Sequence, residues 1–285
     1  MKNVLIVTNF NAGRRKAIKY KKTVLDFLIK RCKMFKFASI EELDNIDFEQ
    51  FDTIIAMGGD GTVSKVLPNI INTEKTLGII PSGTANLLAS RLGISSNLKK
   101  SLKIIENKNI RTIDALKINE YLSSLRFGIG YDANIISKTP QSLKNKFGYL
   151  AYFIAGIIFA LRLKNKNYEI TFDGITCKED ASCIIIANAA NMYKNLVSVG
   201  KNSKPDDGII DIFVLKTTNP FLFLWEFNKI LLNIKYNSSL AKYMQAKSIS
   251  IKNTWLACHI DGEKRKLKND IQINIQPKTI KVYSK

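Results

Sequence analysis

The first third of the chain alternates short apolar runs with stretches of helical period. Residues 3–8 (NVLIVT) and 52–57 (DTIIAM) are apolar runs of strand length, and 77–80 (LGII) is a third. Over 14–32, Ala17, Val24, Leu25, Leu28 and Ile29 recur on roughly one face of a helix. Residues 61–71 read as helical, with Pro68 kinking or ending them. Residues 82–94 read as a loop entering a helix, and 95–106 as a further helix. KMFKFA (33–38) is strand-like, and SIEEL after it opens a short helix. Strands alternating with helices imply a parallel sheet with helices on both faces.

The rhythm changes near residue 110. Alternating β segments take over at 111–118, 121–129, 167–172, 182–188, 209–215, 246–251, 255–260, 270–275 and 279–283. Turn signals such as FDG (172–174) and DGE (261–263) punctuate them. This half reads as a mainly antiparallel β-sandwich with two inserted apolar helices, at 146–163 and 219–235. Two domains are expected, 1–110 and 111–285, with the last strand free to return to the first. Phe147 to Leu161 is uncharged over 15 residues, short of the roughly 20 that a membrane span needs. It reads as a buried or half-buried helix. The second apolar helix is capped by Asn219, has Pro220 at its first position, and is interrupted by Glu226 and Lys229.

Composition narrows the class. The chain has 285 residues, of which 46% are hydrophobic, enough for sizeable cores. Its formal net charge is +20, which favours an anionic partner: a phosphorylated ligand, an anionic membrane face or nucleic acid. Cys32, Cys177, Cys183 and Cys258 form no CxxC pair, and His259 is the one histidine. That pattern argues against a zinc site and for reduced thiols in a cytoplasmic setting. The opening MKNVLIVTNF suits a first strand better than a signal peptide.

The chemistry gathers in glycine turns. IIAMGGDGTVSK (54–65) runs a buried strand into Gly58, Gly59, Asp60, Gly61 and Thr62. Glycines let backbone N–H groups approach a phosphate closely, and a following helix N-terminus favours an anion. Asp60 would repel a bare phosphate, so its place makes sense beside a cation or water, or beside an attacking hydroxyl. The alternative is a plain strand-to-helix turn with Asp60 as a cap. A second such turn holds Ser82, Gly83, Thr84 and Asn86, and NFNAG (9–13) makes a third. Ligands of open α/β sheets bind at the carboxyl ends of the strands. No Walker P-loop occurs, and GIGYDA (128–133) has only the first two glycines of a dinucleotide fingerprint.

GGDGT followed by PSGTANLLA resembles the diacylglycerol kinase catalytic domain family, which includes bacterial diacylglycerol kinases, YegS-like lipid kinases and sphingosine and ceramide kinases. GIGYDA (128–133), KFGYLAY (146–152), KPDDGIIDIFVL (204–215) and HIDGE (259–263) follow in the family's order. The resemblance implies an ATP-dependent lipid kinase, peripheral at the inner membrane face, with ATP between its two domains. It implies phosphate contacts from Asn9 to Gly13, from Gly58 through Val63 to Ser64, and at Thr84, with Ser39 a weaker candidate for the adenosine side. It also implies a structural Mg²⁺ held by the backbone carbonyls of Lys204 and Ile209 and the carboxylate of Asp207, an oxygen-only set suited to a hard cation. Glu263 is implied as acceptor of the lipid hydroxyl proton, with Asp261 supporting it or coordinating metal. Asp60 and Asp114 match acidic positions of a network that includes a catalytic Mg²⁺ in some readings. Two departures stand out: Leu87 follows Asn86 where many members carry aspartate, and Phe10 stands where proline is usual.

Other readings stay open at this point. GGDGT is shared with NAD kinases, so a kinase for a soluble acceptor is one alternative. A non-catalytic nucleotide- or membrane-binding relative is another. No nucleic-acid motif is present. The acceptor lipid is left open, as is a homodimer.

Overall fold

The computed structural model describes residues 3–9, 16–130, 164–188, 191–193, 197–198, 203–231, 238–252, 256–267 and 270–285. The chain divides into two compact units, Met1–Ile113 with Lys278–Lys285, and Asp114–Pro277.

The first unit is a parallel sheet with helices. Strands β1 (Asn3–Thr8), β2 (Met34–Ser39), β3 (Thr53–Gly58) and β4 (Thr76–Pro81) lie in the order β2-β1-β3-β4, every pair parallel. The strands β3 and β4 are buried at every residue, which is why their sequences are continuous apolar runs rather than alternating ones. Helices α1 (Lys16–Ile29) and α4 (Leu98–Asn107) share a core with the sheet, in which Val24 and Leu28 meet Ile55, Met57, Leu102 and Ile105. The guanidinium of Arg31 lies 4.7 Å above the Phe27 ring and pairs with Glu106 of α4. Hydrogen bonds from Arg31, then from Lys103, hold the Glu106 carboxyl below the ordinary range. Two shorter helices, α2 (Asp60–Val66) and α3 (Leu87–Arg91), follow β3 and β4.

Two local details differ from the sequence pattern. No α-helix opens at residue 39. The Ser39 N–H instead donates to Glu42 Oε2 at 2.6 Å, closing a turn that leads into a short 3-10 segment at Leu43–Asn45. Helix α2 stops at Val66 and tightens into a 3-10 turn at Leu67–Asn69, where Pro68 has no N–H to continue the ladder.

The second unit is a sandwich. One sheet is antiparallel, in the order β14 (Ala241–Ala246), β13 (Ile210–Leu215), β10 (Cys183–Ala187), β7 (Arg126–Gly130), β16 (Leu256–Ile260) and β17 (Glu263–Leu267). Facing it are β9 (Ile175–Ala181), β8 (Lys166–Phe172), β15 (Ser248–Ile251) and the first half of β18 (Ile271–Tyr283), joined by β5 (Ile110–Ile118) and β6 (Tyr121–Ser123). Phe127, Ile184, Ile212 and Ile260 of one sheet meet Leu116, Ile170, Ile249 and Ile273 of the other in a single apolar cluster. A short pair, β11 (Asn191–Tyr193) with β12 (Val197–Ser198), stands apart.

The stretch expected as one strand at 246–251 is a corner. Ala246 ends β14 in one sheet and Ser248 begins β15 in the other. Asp173, at the tip of the β8–β9 hairpin, fixes that corner by accepting from the N–H groups of Lys247 and Ser248. These bonds, the one from Ser248 first, pull the Asp173 carboxyl down despite the opposing effect of desolvation. Strands β9 and β17 carry too many charges (ITCKEDA, EKRKL) to read as strands from apolar pattern alone. The expected segments 270–275 and 279–283 form one strand, β18. Of the two apolar helices, the second is α5 (Pro220–Leu231), and 146–163 lies outside the described residues.

Glu179 on β9 is 5% exposed and pairs with both Lys216 and Lys242. Burial pushes its carboxyl up, but the two ammonium partners outweigh burial and hold it below the ordinary range. A depressed folded-state value contributes stability that is present above the unfolded value and is lost as pH falls through the folded one. Glu179→Gln is therefore expected to cost roughly 2–3 kcal/mol near neutral pH, below the range for fully buried pairs because both lysines are partly solvated. The same substitution should flatten the loss of stability in acid. Urea unfolding of both proteins at neutral and acidic pH measures this.

Candidate active site

The parallel order of the first unit puts the carboxyl ends of β1 to β4 along one edge. Asn9 follows β1, Ser39 ends β2, Gly58 ends β3, and Ser82 follows β4. Gly13 lies outside the described residues. The turns after β3 and β4 touch. A Cβ on Gly83 would sit 2.5 Å from Gly59 Cα, and a Cβ on Gly58 would sit 2.0 Å from Thr62 Oγ1. No side chain fits at either place. The N–H groups of Ser82 and Gly83 both point to Gly58 O, at 2.9 and 3.3 Å.

Side chains then hold the double turn. Asn86 has a left-handed backbone (φ 50°) and clasps Gly83, with Oδ1 accepting from Gly83 N at 3.0 Å and Nδ2 donating to Gly83 O at 2.9 Å. Asp60 Oδ1 accepts from Leu88 N at 3.2 Å, so the first turn caps the helix that follows the second. Thr62 is buried against Gly58, Val63 points into the core, Ser64 is half-buried and Thr84 is exposed. Of the residues expected to meet phosphate, Asn86 and Asp60 thus have structural tasks of their own. Gly61 has open space beside it. Thr8 Oγ1 and Ser82 Oγ are buried and without a hydrogen-bond partner.

In the second unit the carboxylates of DGE part company. Asp261 and Gly262 form the two-residue turn between β16 and β17, with φ of 48° and 88°, as the favoured hairpin turn requires. The Asp261 carboxylate is 9% exposed and accepts four hydrogen bonds: from Ser123 Oγ, and from the N–H groups of Ser124 (3.2 Å), Leu125 (3.2 Å) and Arg126 (2.9 Å). Those bonds bend the chain between β6 and β7, which splits the stretch expected as one strand at 121–129. Glu263 differs. It is about a third exposed and pairs with a side chain, Arg265 Nη2 at 2.9 Å. Arg265 in turn lies 5.3 Å over the Tyr121 ring, and its Nε is buried without a hydrogen-bond partner. His259, fully buried, accepts weakly at Nδ1 from Gly262 N at 3.4 Å.

Asp114 is fully buried on β5 and controls the 204–209 loop. Its N–H donates to Pro205 O at 2.7 Å, its Oδ2 accepts from Gly208 N at 2.7 Å, and its carbonyl accepts from Asn188 Nδ2 at 2.8 Å. Asp207 accepts from Lys204 N at 3.0 Å and from Ile209 N at 3.1 Å. The loop therefore turns the N–H groups of Lys204 and Ile209 onto the exposed carboxylate of Asp207, and that carboxylate is a hard oxygen donor of the kind Mg²⁺ takes. Among the described residues, no three His, Cys, Asp or Glu are placed to hold a metal.

Residues 3–118 match the model of the diacylglycerol kinase catalytic domain, and residues 126–284 match that of the YegS C-terminal NAD kinase beta sandwich-like domain. An uncharacterized protein of Synechocystis sp. is 36% identical over 168 residues, which cover 59% of this chain and 39% of that protein. The diacylglycerol kinase of Bacillus subtilis is 28% identical over 219 residues, covering 75% of this chain and 72% of its own length. A crystal structure of a candidate diacylglycerol kinase from Bacillus anthracis str. Sterne superposes with a TM-score of 0.82 at 25% identity, covering 100% of this chain and 97% of that one. The chain belongs to the diacylglycerol kinase catalytic domain family, with its YegS-type C-terminal domain, a family of lipid kinases.

Sequence reasoning passed over Arg265 and Ser123. The alternation in EKRKL was the available signal for Arg265, since Glu263 and Arg265 share a strand face.

Two pairs of substitutions separate shape from chemistry here. Gly83→Ala should push the two turns apart and lower affinity for an ATP analogue at least tenfold, while Gly61→Ala leaves the fold intact; calorimetric titration with thermal melting reads both. Asp261→Asn places an amide donor against backbone donors and should cost roughly 2–4 kcal/mol. Glu263→Gln should stay within about 0.5 kcal/mol of the parent in the same denaturation measurement.

Proposed function

We propose that this chain transfers the γ-phosphoryl group of ATP to a hydroxyl of a membrane lipid of the diacylglycerol class, working at an anionic membrane face. The observation that carries this reading is the contrast within DGE. Asp261 is consumed by four hydrogen bonds, whereas Glu263 stands on the adjacent strand, partly open to solvent, with a single arginine arm against it. That contrast favours Glu263 as the proton acceptor and Asp261 as the residue that fixes the turn on which it stands. The similarity to a diacylglycerol kinase of Bacillus subtilis and a YegS-like lipid kinase of Citrobacter koseri supports a lipid as acceptor. No helix among the described residues is long and apolar enough to cross a membrane, so the acceptor would be met at a surface, where a net charge of +20 favours anionic lipid.

Phosphoryl transfer asks a protein for positioning and charge stabilisation more than for covalent chemistry. Gly58 and Gly83 let the two turns pack directly on each other, with the amides of Ser82 and Gly83 spent on Gly58 O, so the backbone N–H groups offered to a polyphosphate would come from Asp60 and Gly61 at the start of α2. Asp60, beside those turns, is the carboxylate placed to hold a cation or water against the phosphates. When bound, Mg²⁺ supplies neutralisation of phosphate charge. Lys204, Asp207 and Ile209 would hold a second, structural cation that stiffens the loop under Asp114. Glu263 would take the proton from the lipid hydroxyl as its oxygen bonds the γ-phosphorus and the bond from that phosphorus to the bridging oxygen breaks, releasing ADP.

Transfer of radiolabelled γ-phosphate from ATP and Mg²⁺ into a mixed lipid extract tests the reading. Label is expected in a chloroform-soluble product, and Glu263→Gln and Asp60→Asn should each lower it by roughly a hundredfold or more. Label in NAD would favour a soluble acceptor. ATP binding without any transfer would favour a non-catalytic relative, with Leu87 in place of the usual aspartate as its first explanation.

A further inference from the structure

Helix α5 is turned inside out. Phe221 is 78% exposed, Trp225 64% and Leu222 42%. One turn apart along the helix, Phe221 and Trp225 stack on a single outer face. The helix keeps Glu226 inside instead, 4% exposed and paired with Lys229 at 2.6 Å, next to the fully buried Phe223. The helix is held in this orientation by more than its own propensity. Asn219 Oδ1 accepts from the N–H groups of Phe221 and Leu222, Pro220 occupies the first turn, and the helix packs against β13. A helix that buries a carboxylate and shows water two aromatic rings is shaped for an apolar medium on its outer side.

We propose that the outer face of α5 inserts into the interfacial layer of an anionic bilayer and anchors the chain there. Its described part has 12 residues, about 18 Å at the usual rise, against the roughly 30 Å of a bilayer core. A helix of this length lies in the interface, and no helix among the described residues is long and apolar enough to cross a membrane. Trp and Phe are the side chains that favour that layer. Charge selects the occupant. At a net +20, the chain is attracted to an anionic leaflet, whereas like charge disfavours a second copy as the occupant. The apolar face and the charge thus act together, since one weak anchor alone binds a membrane only marginally. The anchor is independent of phosphoryl transfer: vesicle binding without kinase activity would remove the proposed function and leave the anchor standing.

The experiment is co-sedimentation of the full chain with vesicles of phosphatidylcholine, with and without phosphatidylglycerol. Binding is expected with phosphatidylglycerol, and Phe221→Ser combined with Trp225→Ser should lower the partition coefficient by roughly tenfold per side chain. Thermal melting should be unchanged, because both side chains face solvent. In a Trp255→Phe background, Trp225 emission should shift to the blue on adding these vesicles and be quenched by brominated acyl chains. Equal partition of the double variant and the parent would overturn the proposal. So would a dimer in sedimentation velocity that the double variant abolishes, because the face would then be a self-association surface.

Discussion

At the carboxyl edge of the first unit's sheet, two backbones meet with no room for a methyl group between them. The contact of Gly59 with Gly83 is short-range and apolar, yet it constrains everything nearby. It requires β3 and β4 to be direct neighbours, which the order β2-β1-β3-β4 provides. It brings the amides of residues 82 and 83 onto Gly58 O, and the start of α3 under the carboxylate of Asp60. A surface built of main chain results, narrow enough to exclude side chains. Asp60 is part of that construction, because its Oδ1 ties the first turn to the helix that follows the second.

The second unit uses carboxylates as fasteners. Asp261 gathers three consecutive amides, Asp173 holds the corner between β14 and β15, and Asp207 closes its own loop. Asp211, 2% exposed, is bound by Ser203, Tyr243 and Gln245. A carboxylate that accepts backbone amides orders a turn as a local piece of secondary structure does. In a chain with 24 acids and 44 bases, acids spent in this way are conspicuous, and Glu263, a third exposed and paired with Arg265, differs from them in its access to solvent.

This pattern also marks what the sequence could reveal. The buried parallel strands were legible because their apolar runs have no second meaning, and the glycine turns because nothing else needs glycines at those intervals. The corner at Lys247 was not, since a strand that changes sheets keeps its alternation across the break. The charged strands β9 and β17 were hidden because an edge position, or pairing with lysines, makes polarity tolerable. The division of labour between Asp261 and Glu263 lay beyond the pattern altogether. It depends on amides at 124–126, about 135 residues away in sequence, and only the folded β6–β7 bend brings them to the turn.

The last strand has a consequence for how the first unit comes to be made. Lys281 and Val282 pair with Thr76 and Leu77, Tyr283 enters the core beside Ile55 and Ile80, and Ser284 N bonds Asn109 O. A chain emerging from the ribosome thus carries four parallel strands whose β4 edge waits about 200 residues for its partner at 281–282. An edge left open for that long is a template on which a neighbouring nascent chain can pair.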